Sequence, residues 1–143
     1  MDFDSEFKAF EYDPNQPLDV EAWLKLDEME RILVVEDYHK QARVKLPDVH
    51  LHAVFHAAIE NQIAEGLEDV IEALERLQFQ GLDRHEAIHA IASVLLEQIS
   101  DVMENPEPFI ILGPPNYAYL QEVRKLTKRS WYRKYGKKRR RRG

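Results

Sequence analysis

The sequence predicts an all-α fold, a small helical bundle of about four to five helices. Apolar residues recur at helical spacing in several segments, and no segment shows the sustained alternation that is typical of a half-buried strand. Glycine and proline separate these segments. The 143 residues suffice for one domain with its own apolar core. We expect an acidic, extended lead-in over 1–18, one helical bundle domain over 19–132 and a basic, disordered C-terminal tail over 133–143.

The first predicted helix comes in two pieces. A short helical turn is expected around 20–26. Asp27 then has the position of an N-cap, with Glu30 three residues later, which is the spacing of a capping box. We expect this helix to end near Arg43, because Pro47 follows it. The apolar residues expected to face inward are Met29, Ile32, Leu33 and Val35.

Glycines close the next two predicted helices. One helix is expected over about 49–65, capped by Asp48 and closed by Gly66, and the next over about 67–80, closed by Gly81. Glycine is favoured there because the residue after a helix often adopts the left-handed conformation.

Two further helices are expected toward the C-terminus. The first begins after Asp83 and continues to about residue 104, before a proline-rich segment. The second is a single helix over about 117–132, which Asn116 would cap.

Composition restricts the class of protein and its chemistry. The chain contains no cysteine, which excludes disulfides and thiolate metal ligands. Its first residues are acidic and lack the apolar core of a secretory signal, and no apolar run approaches the roughly 20 residues of a membrane span. We therefore expect a soluble, cytoplasmic protein that has no membrane partner.

Four histidines lie in two pairs of equal spacing. His52 and His56 lie four residues apart in one predicted helix, and His85 and His89 lie four apart in another. Residues four apart share one side of a helix, so each pair offers two imidazoles at the border of an apolar face. One helix intervenes, so the two paired helices should run in the same general direction. The sequence therefore predicts that both pairs contribute to one site.

Such a cluster favours a divalent transition metal, with zinc or iron the first choices. Four imidazoles would close a tetrahedral structural site, whereas three imidazoles and a water would leave an open position. Glu60, four residues after His56, is a candidate for a further oxygen ligand. The alternative is that the histidines are structural, hydrogen-bonded and bind no metal. His39 and His50 fit neither pair and are predicted to be surface or boundary residues.

Residues 85–89 read HEAIH, which matches the H-E-x-x-H pattern of zinc metalloproteases. In the corresponding alternative function, a metal-dependent hydrolase, Glu86 or Glu60 would act as the base. However, Glu86 follows Asp83 by three residues, and a capping box would use its carboxylate there. The glycine and third histidine of the longer metzincin pattern are also absent. These residues therefore favour a capped helix start over a protease motif.

Charge is distributed unevenly along the chain. Residues 117–143 contain 12 Lys and Arg and one acid, whereas residues 1–116 contain 8 Lys and Arg and 25 acids. A second alternative function is therefore a metal-free interaction module that binds RNA, ribosomes or another polyanion through its basic end. The competing interpretation is a solvated tail with no such role. The cations predicted to contact nucleic acid are Arg133, Lys134, Lys137, Lys138, Arg139 and Arg140.

Three stretches carry a resemblance to a known family. They read LDEMERILVVEDYH, LHAVFHAAIENQIA and GLDRHEAIHAIASVLLEQI. Together, over about 22–104, they resemble an uncharacterised bacterial all-helical family, a domain of unknown function, and LTKRSW at 126–131 is similar to its C-terminal helix. The resemblance implies a small cytoplasmic all-α protein with histidines at His52, His56, His85 and His89. The family has no established activity, so the resemblance implies a shape and a candidate site but no reaction.

Overall fold

The helices are those of a computed structural model that describes residues 10–41, 49–104 and 116–135. Every regular element in these ranges is a helix, which confirms the all-α prediction. The seven helices within these described ranges exceed the four to five that we predicted, and none of the seven is long and apolar enough to cross a membrane. They are α1 (Val20–Lys25), α2 (Glu28–Gln41), α3 (Val49–Ala64), α4 (Glu68–Phe79), α5 (Arg84–Glu104), α6 (Asn116–Lys125) and α7 (Lys128–Tyr135).

The chain divides into two compact units, 1–66 and 67–143. The boundary follows Gly66, which lies two residues after the end of α3 and has a φ of 81°. Gly81, after α4, has a φ of 113°. Both glycines therefore close their helices in the left-handed region, as predicted. The expectation of one domain over 19–132 stays a prediction.

The first unit is built around the ring of Trp23, which is fully buried. Asp19 caps α1 by accepting a hydrogen bond from the Ala22 N–H at 3.1 Å. Between α1 and α2, Asp27 and Glu30 each accept the backbone N–H of the other at 2.8 Å, which confirms the predicted capping box. The buried residues of this core are Tyr12, Trp23, Val34, Val35, Ala53 and Ala57.

Two sequence expectations for the first unit need correction. Met29 and Leu33 do not face inward, because their side chains are 58% and 43% exposed, whereas Val35 is buried as predicted. Within the predicted lead-in, the Tyr12 side chain is buried, and its ring centroid lies 5.9 Å from that of Trp23. The lead-in therefore supplies part of the core of this unit.

Arg31 joins the end of α1 to α3. Its guanidinium donates hydrogen bonds to the carbonyls of Trp23 and Leu26, at 3.2 and 3.0 Å. It also donates to the side-chain oxygen of Asn61 at 3.0 Å, and the Trp23 indole N–H donates to the same oxygen at 2.9 Å. The Trp23 carbonyl also accepts the Leu26 N–H at 3.1 Å, so Arg31 adds a second donor there. The Leu26 carbonyl lies just past the end of α1, where helix carbonyls need a partner from outside the helix.

The second unit packs apolar faces of α4, α5 and α6 together. The start of α5 is a second capping box, in which the Glu86 N–H donates to Asp83 at 2.7 Å and the Asp83 N–H donates to Glu86 at 3.2 Å. This start was predicted from the sequence. The largest fully buried side chains of the unit are Tyr119, Leu77, Ile88, Ile91, Val70 and Val123.

The prediction of a single last helix over 117–132 is wrong, because α6 ends at Lys125 and a separate helix, α7, begins at Lys128. Arg76 of α4 donates hydrogen bonds to the carbonyls of Val123 and Leu126, at 2.9 and 3.0 Å, and thereby ends α6. Thr127 and Ser130 then bond to each other's backbone N–H groups at 3.0 Å and begin α7. Side-chain hydrogen bonds thus stabilise both the end of α6 and the start of α7, by satisfying backbone groups that have no partner within their helix.

The end of α7 contacts α5 through Glu97. The Lys134 ammonium lies 2.5 Å from the Glu97 carboxylate, and the Tyr135 hydroxyl donates a hydrogen bond to the same carboxylate. Burial by itself raises the pKa of Glu97, but the hydrogen bonds from Lys134 and Tyr135 and the Lys134 charge outweigh it, so the pKa is lowered. Burial and the bond to Glu97 raise the pKa of Tyr135. At neutral pH the Glu97 carboxylate is therefore ionised, and the Tyr135 hydroxyl keeps the proton that it donates to it.

Replacing Glu97 by glutamine is expected to lower the free energy of unfolding at pH 7 by about 0.5–1 kcal/mol, since the contact is partly exposed. The pKa of Glu97 is lower in the folded chain than in the unfolded chain, where it is about 4.3, so the contact stabilises the fold above that pH. This stabilisation disappears as the pH falls through the folded-state pKa. Urea unfolding should therefore show the Glu97→Gln variant and the wild type converging in acid. Glu75→Gln, which alters an exposed carboxylate of α4, is the control. A difference that persisted in acid would contradict the assignment.

Candidate metal centre

Three histidines of the first unit meet where α2 packs against α3. His52 and His56 lie one turn apart on α3, and His39 lies in the last turn of α2. Their ring centroids are separated by 4.2 Å for His52–His56, 4.8 Å for His39–His52 and 4.9 Å for His39–His56. The three imidazoles therefore form a compact triangle, which we call the histidine triad.

The triad is shielded from water. His39 and His56 are fully buried, and His52 is half-buried. The potential ligand atoms of the three side chains all lie within 4.8 Å of one another. In a tetrahedral zinc site, with Zn–N bonds of about 2.0–2.1 Å, two ligand nitrogens lie about 3.4 Å apart. The triad is therefore a histidine cluster that could hold a metal ion if its nitrogens moved closer together.

The hydrogen bond of His39 determines which of its nitrogens can bind a metal. Its Nδ1 lies 2.8 Å from the Val35 carbonyl oxygen, which can only accept, so Nδ1 carries the proton. Nε2 then carries the lone pair, and a backbone carbonyl on the other nitrogen is the usual arrangement behind a metal-bound histidine. Burial lowers the pKa of His39, and the bond to Val35 only partly offsets this. The ring is therefore held neutral, as a metal ligand must be.

Aromatic and acidic side chains lie behind the triad. The Tyr38 ring contacts His39 edge-on with centroids 5.4 Å apart, and Tyr12 contacts Tyr38 in the same way at 6.1 Å. The Tyr12 hydroxyl donates a hydrogen bond of 2.6 Å to the carboxyl of Glu60, which is fully buried. Glu60 thus has a defined partner, and its predicted role as a ligand or as a base stays a prediction.

The expectation that His39 is a surface or boundary residue is wrong, whereas His50 is exposed as expected and contacts Glu36 at 3.0 Å. A signal for His39 was present in the sequence. It follows Ile32 by seven residues and Val35 by four, so all three share one face of α2. A histidine in that position continues the apolar stripe of the helix.

The second histidine pair belongs to the other unit. His85 and His89 lie in the first turns of α5, with stacked rings whose centroids are 6.5 Å apart. The His89 ring also lies 6.3 Å from Trp131 of α7. Their predicted participation in one site with His52 and His56 stays a prediction.

The Glu86 side chain is bound to the backbone at the start of α5. Its carboxylate accepts the Asp83 N–H in the capping box at the start of α5. A general base must reach the proton that it removes, so this bond would have to open first. The geometry of HEAIH thus favours a helix start, and the hydrolase stays a prediction.

The cations predicted to contact nucleic acid fall in two places. Arg133 and Lys134 lie in α7, inside the range that we expected to be tail. Lys134 is paired with Glu97. The remaining predicted contacts lie outside the described residues, and they are Lys137, Lys138, Arg139 and Arg140.

Comparisons of the chain with protein-family models, with curated proteins and with solved structures return no match. The resemblance to a bacterial helical family therefore stays a prediction, and the case for a function depends on the geometry of the triad.

Proposed function

We propose that the first unit binds one divalent transition metal ion through His39, His52 and His56. The observation that carries the proposal is the convergence of three imidazoles from two helices, with the tautomer of His39 fixed by the Val35 carbonyl. Imidazole without thiolate suits zinc, iron, copper or nickel, and zinc or iron are the leading choices.

The size of the first unit favours a structural role for the metal. The unit spans 66 residues, and a single apolar core below about 70–80 residues rarely supplies more than about 3–5 kcal/mol, so a disulfide or a metal adds substantially to its stability. The chain has no cysteine, so a disulfide is excluded. A metal bound by His39 of α2 and by His52 and His56 of α3 would join the two helices and stabilise their packing.

The fourth coordination position separates a structural site from a reactive one. A fourth protein ligand would close the tetrahedron, whereas a bound water would leave a position for chemistry. The sequence predicts that His85 and His89 share a site with His52 and His56, and either of them could contribute this ligand. Alanine variants of these two residues test that prediction, because loss of either ligand would lower the metal affinity.

Titration of the purified, tag-free, chelator-treated chain with zinc tests the proposal. We expect uptake of one tightly bound ion per chain, measured by calorimetry and by elemental analysis after gel filtration. His50→Ala is the matched control, since it removes an exposed histidine two residues before His52. The variant should bind zinc as the wild type does. If the chain takes up neither zinc, iron, copper nor nickel, the proposal is contradicted. Loss of zinc binding in His50→Ala would contradict it as well.

A further inference from the structure

The second unit contains an open cleft of about 710 Å³ beside α7. Its volume lies within the range of sites that hold small ligands or a few units of a polymer. It is formed by the end of α4, the link between α6 and α7, and one side of α7. The residues that line it are Gln80, Thr127, Lys128, Arg129, Tyr132 and Arg133.

Positive charge is concentrated in this cleft. Among the described residues that line it, three are cations, none is an acid, and none has an aliphatic side chain. Within the described ranges, Lys128, Arg129 and Arg133 have no ion-pair partner. The neighbouring cations are neutralised by acids: Arg124 pairs with Asp69, Lys125 with Glu122 and Lys134 with Glu97.

An aromatic ring lies among the unpaired cations. The Lys128 ammonium is 5.7 Å from the centroid of the Tyr132 ring, so a cation and an aromatic face adjoin. The backbone at this point is held in place, because the Lys128 N–H donates to the Gln80 side-chain oxygen at 2.7 Å. The Thr127–Ser130 bonds fix the same turn. The cleft is therefore organised before any ligand arrives.

We infer that this cleft binds single-stranded nucleic acid, with phosphates on Lys128, Arg129 and Arg133 and a base on the ring of Tyr132. Cations that follow the backbone, together with an aromatic ring for stacking, are the usual components of such surfaces. The described lining residues include no aliphatic side chain, which disfavours a lipid surface. The side chains of an acidic peptide have carboxylates for the cations but no ring that would stack on Tyr132 as a base does. The sequence after α7 continues with six Lys and Arg over 137–142, which adds charge next to the cleft in the chain.

Two matched triple variants of the full chain test this inference. K128Q/R129Q/R133Q removes the cleft cations. K40Q/R124Q/K125Q removes three cations that are paired with Glu36, Asp69 and Glu122, so the change in net charge is the same. The probe is a fluorescein-labelled oligouridine of about 12 nucleotides, with binding followed by anisotropy. We expect the cleft variant to bind oligouridine about 10-fold or more weakly. A plot of log K against the logarithm of the salt concentration should have a slope that is shallower by about 2, because each of three lost phosphate contacts contributes about 0.7. The control variant should retain most of the affinity.

A third variant tests the aromatic contact. Tyr132→Leu keeps an apolar side chain but removes the ring, and it should weaken oligouridine binding about fivefold or more. Circular dichroism confirms folding, and R129Q/R133Q, which alters two exposed residues, replaces the triple variant if that one fails to fold. Equal losses in the two triple variants, or unchanged binding by Tyr132→Leu, would overturn the inference. Tighter binding to oligoglutamate or to anionic vesicles than to oligouridine would overturn it as well.

Discussion

Replacing His39 by alanine is expected to abolish stoichiometric zinc binding. Even the loss of a residue that only supports a metal ligand typically lowers affinity 10- to 100-fold, so the loss of one of three imidazoles should cost at least about 100-fold. His39 is also the only triad member supplied by α2, and without it the metal would no longer connect α2 with α3. Competition with a chromophoric chelator measures the affinity.

Thermal unfolding gives an independent measurement of the same effect. A metal that binds only the folded chain stabilises it by about 2.7 kcal/mol when its concentration is 100 times the dissociation constant. Zinc should therefore raise the unfolding temperature of the wild type and of His50→Ala, but not of His39→Ala. If zinc stabilises His39→Ala as much as the wild type, His39 is not a ligand.

Replacing Arg76 by methionine is expected to lower the free energy of unfolding by about 3 kcal/mol. The guanidinium makes two hydrogen bonds to backbone carbonyls at the end of α6, and bonds from charged groups contribute about 1.5–3 kcal/mol each. Methionine retains much of the apolar stem but cannot donate, so the carbonyls of Val123 and Leu126 lose this partner. Urea unfolding measures the difference.

The control for Arg76 is Arg124→Met. Arg124 is exposed and makes an ion pair with Asp69, so its loss should cost less than about 1 kcal/mol. If the two variants lowered the free energy of unfolding equally, Arg76 would act only through its charge and not by ending α6.

The sequence predicted those features of the fold that depend on nearby residues. The capping boxes at Asp27 and Asp83 and the glycine closures at Gly66 and Gly81 each involve groups within a few residues, and all four are present. The break after Lys125 was missed because it depends on Arg76, about 50 residues earlier in the chain. The Thr127–Ser130 bonds also lack the Glu or Gln that makes a capping box recognisable.

The candidate site shows the same division between local and distant information. The spacing of His52 and His56 predicted two imidazoles on one face, and the rings are adjacent. The spacing of Ile32, Val35 and His39 places His39 on the apolar face of α2, but its contact with His52 and His56 depends on the packing of α2 against α3. The burial of Tyr12 against Glu60 likewise depends on a contact between residues 48 positions apart. Such contacts follow from tertiary packing, which periodicity within one helix cannot supply.

X-ray absorption spectroscopy of the full chain loaded with one equivalent of zinc tests the metal centre most directly. We predict a first shell with at least three imidazole nitrogens at about 2.0–2.1 Å from the metal. His50→Ala should give the same spectrum, whereas His39→Ala should fail to retain one equivalent of zinc. A shell with fewer than three imidazoles in the wild type would contradict the assignment of His39, His52 and His56 as the metal ligands.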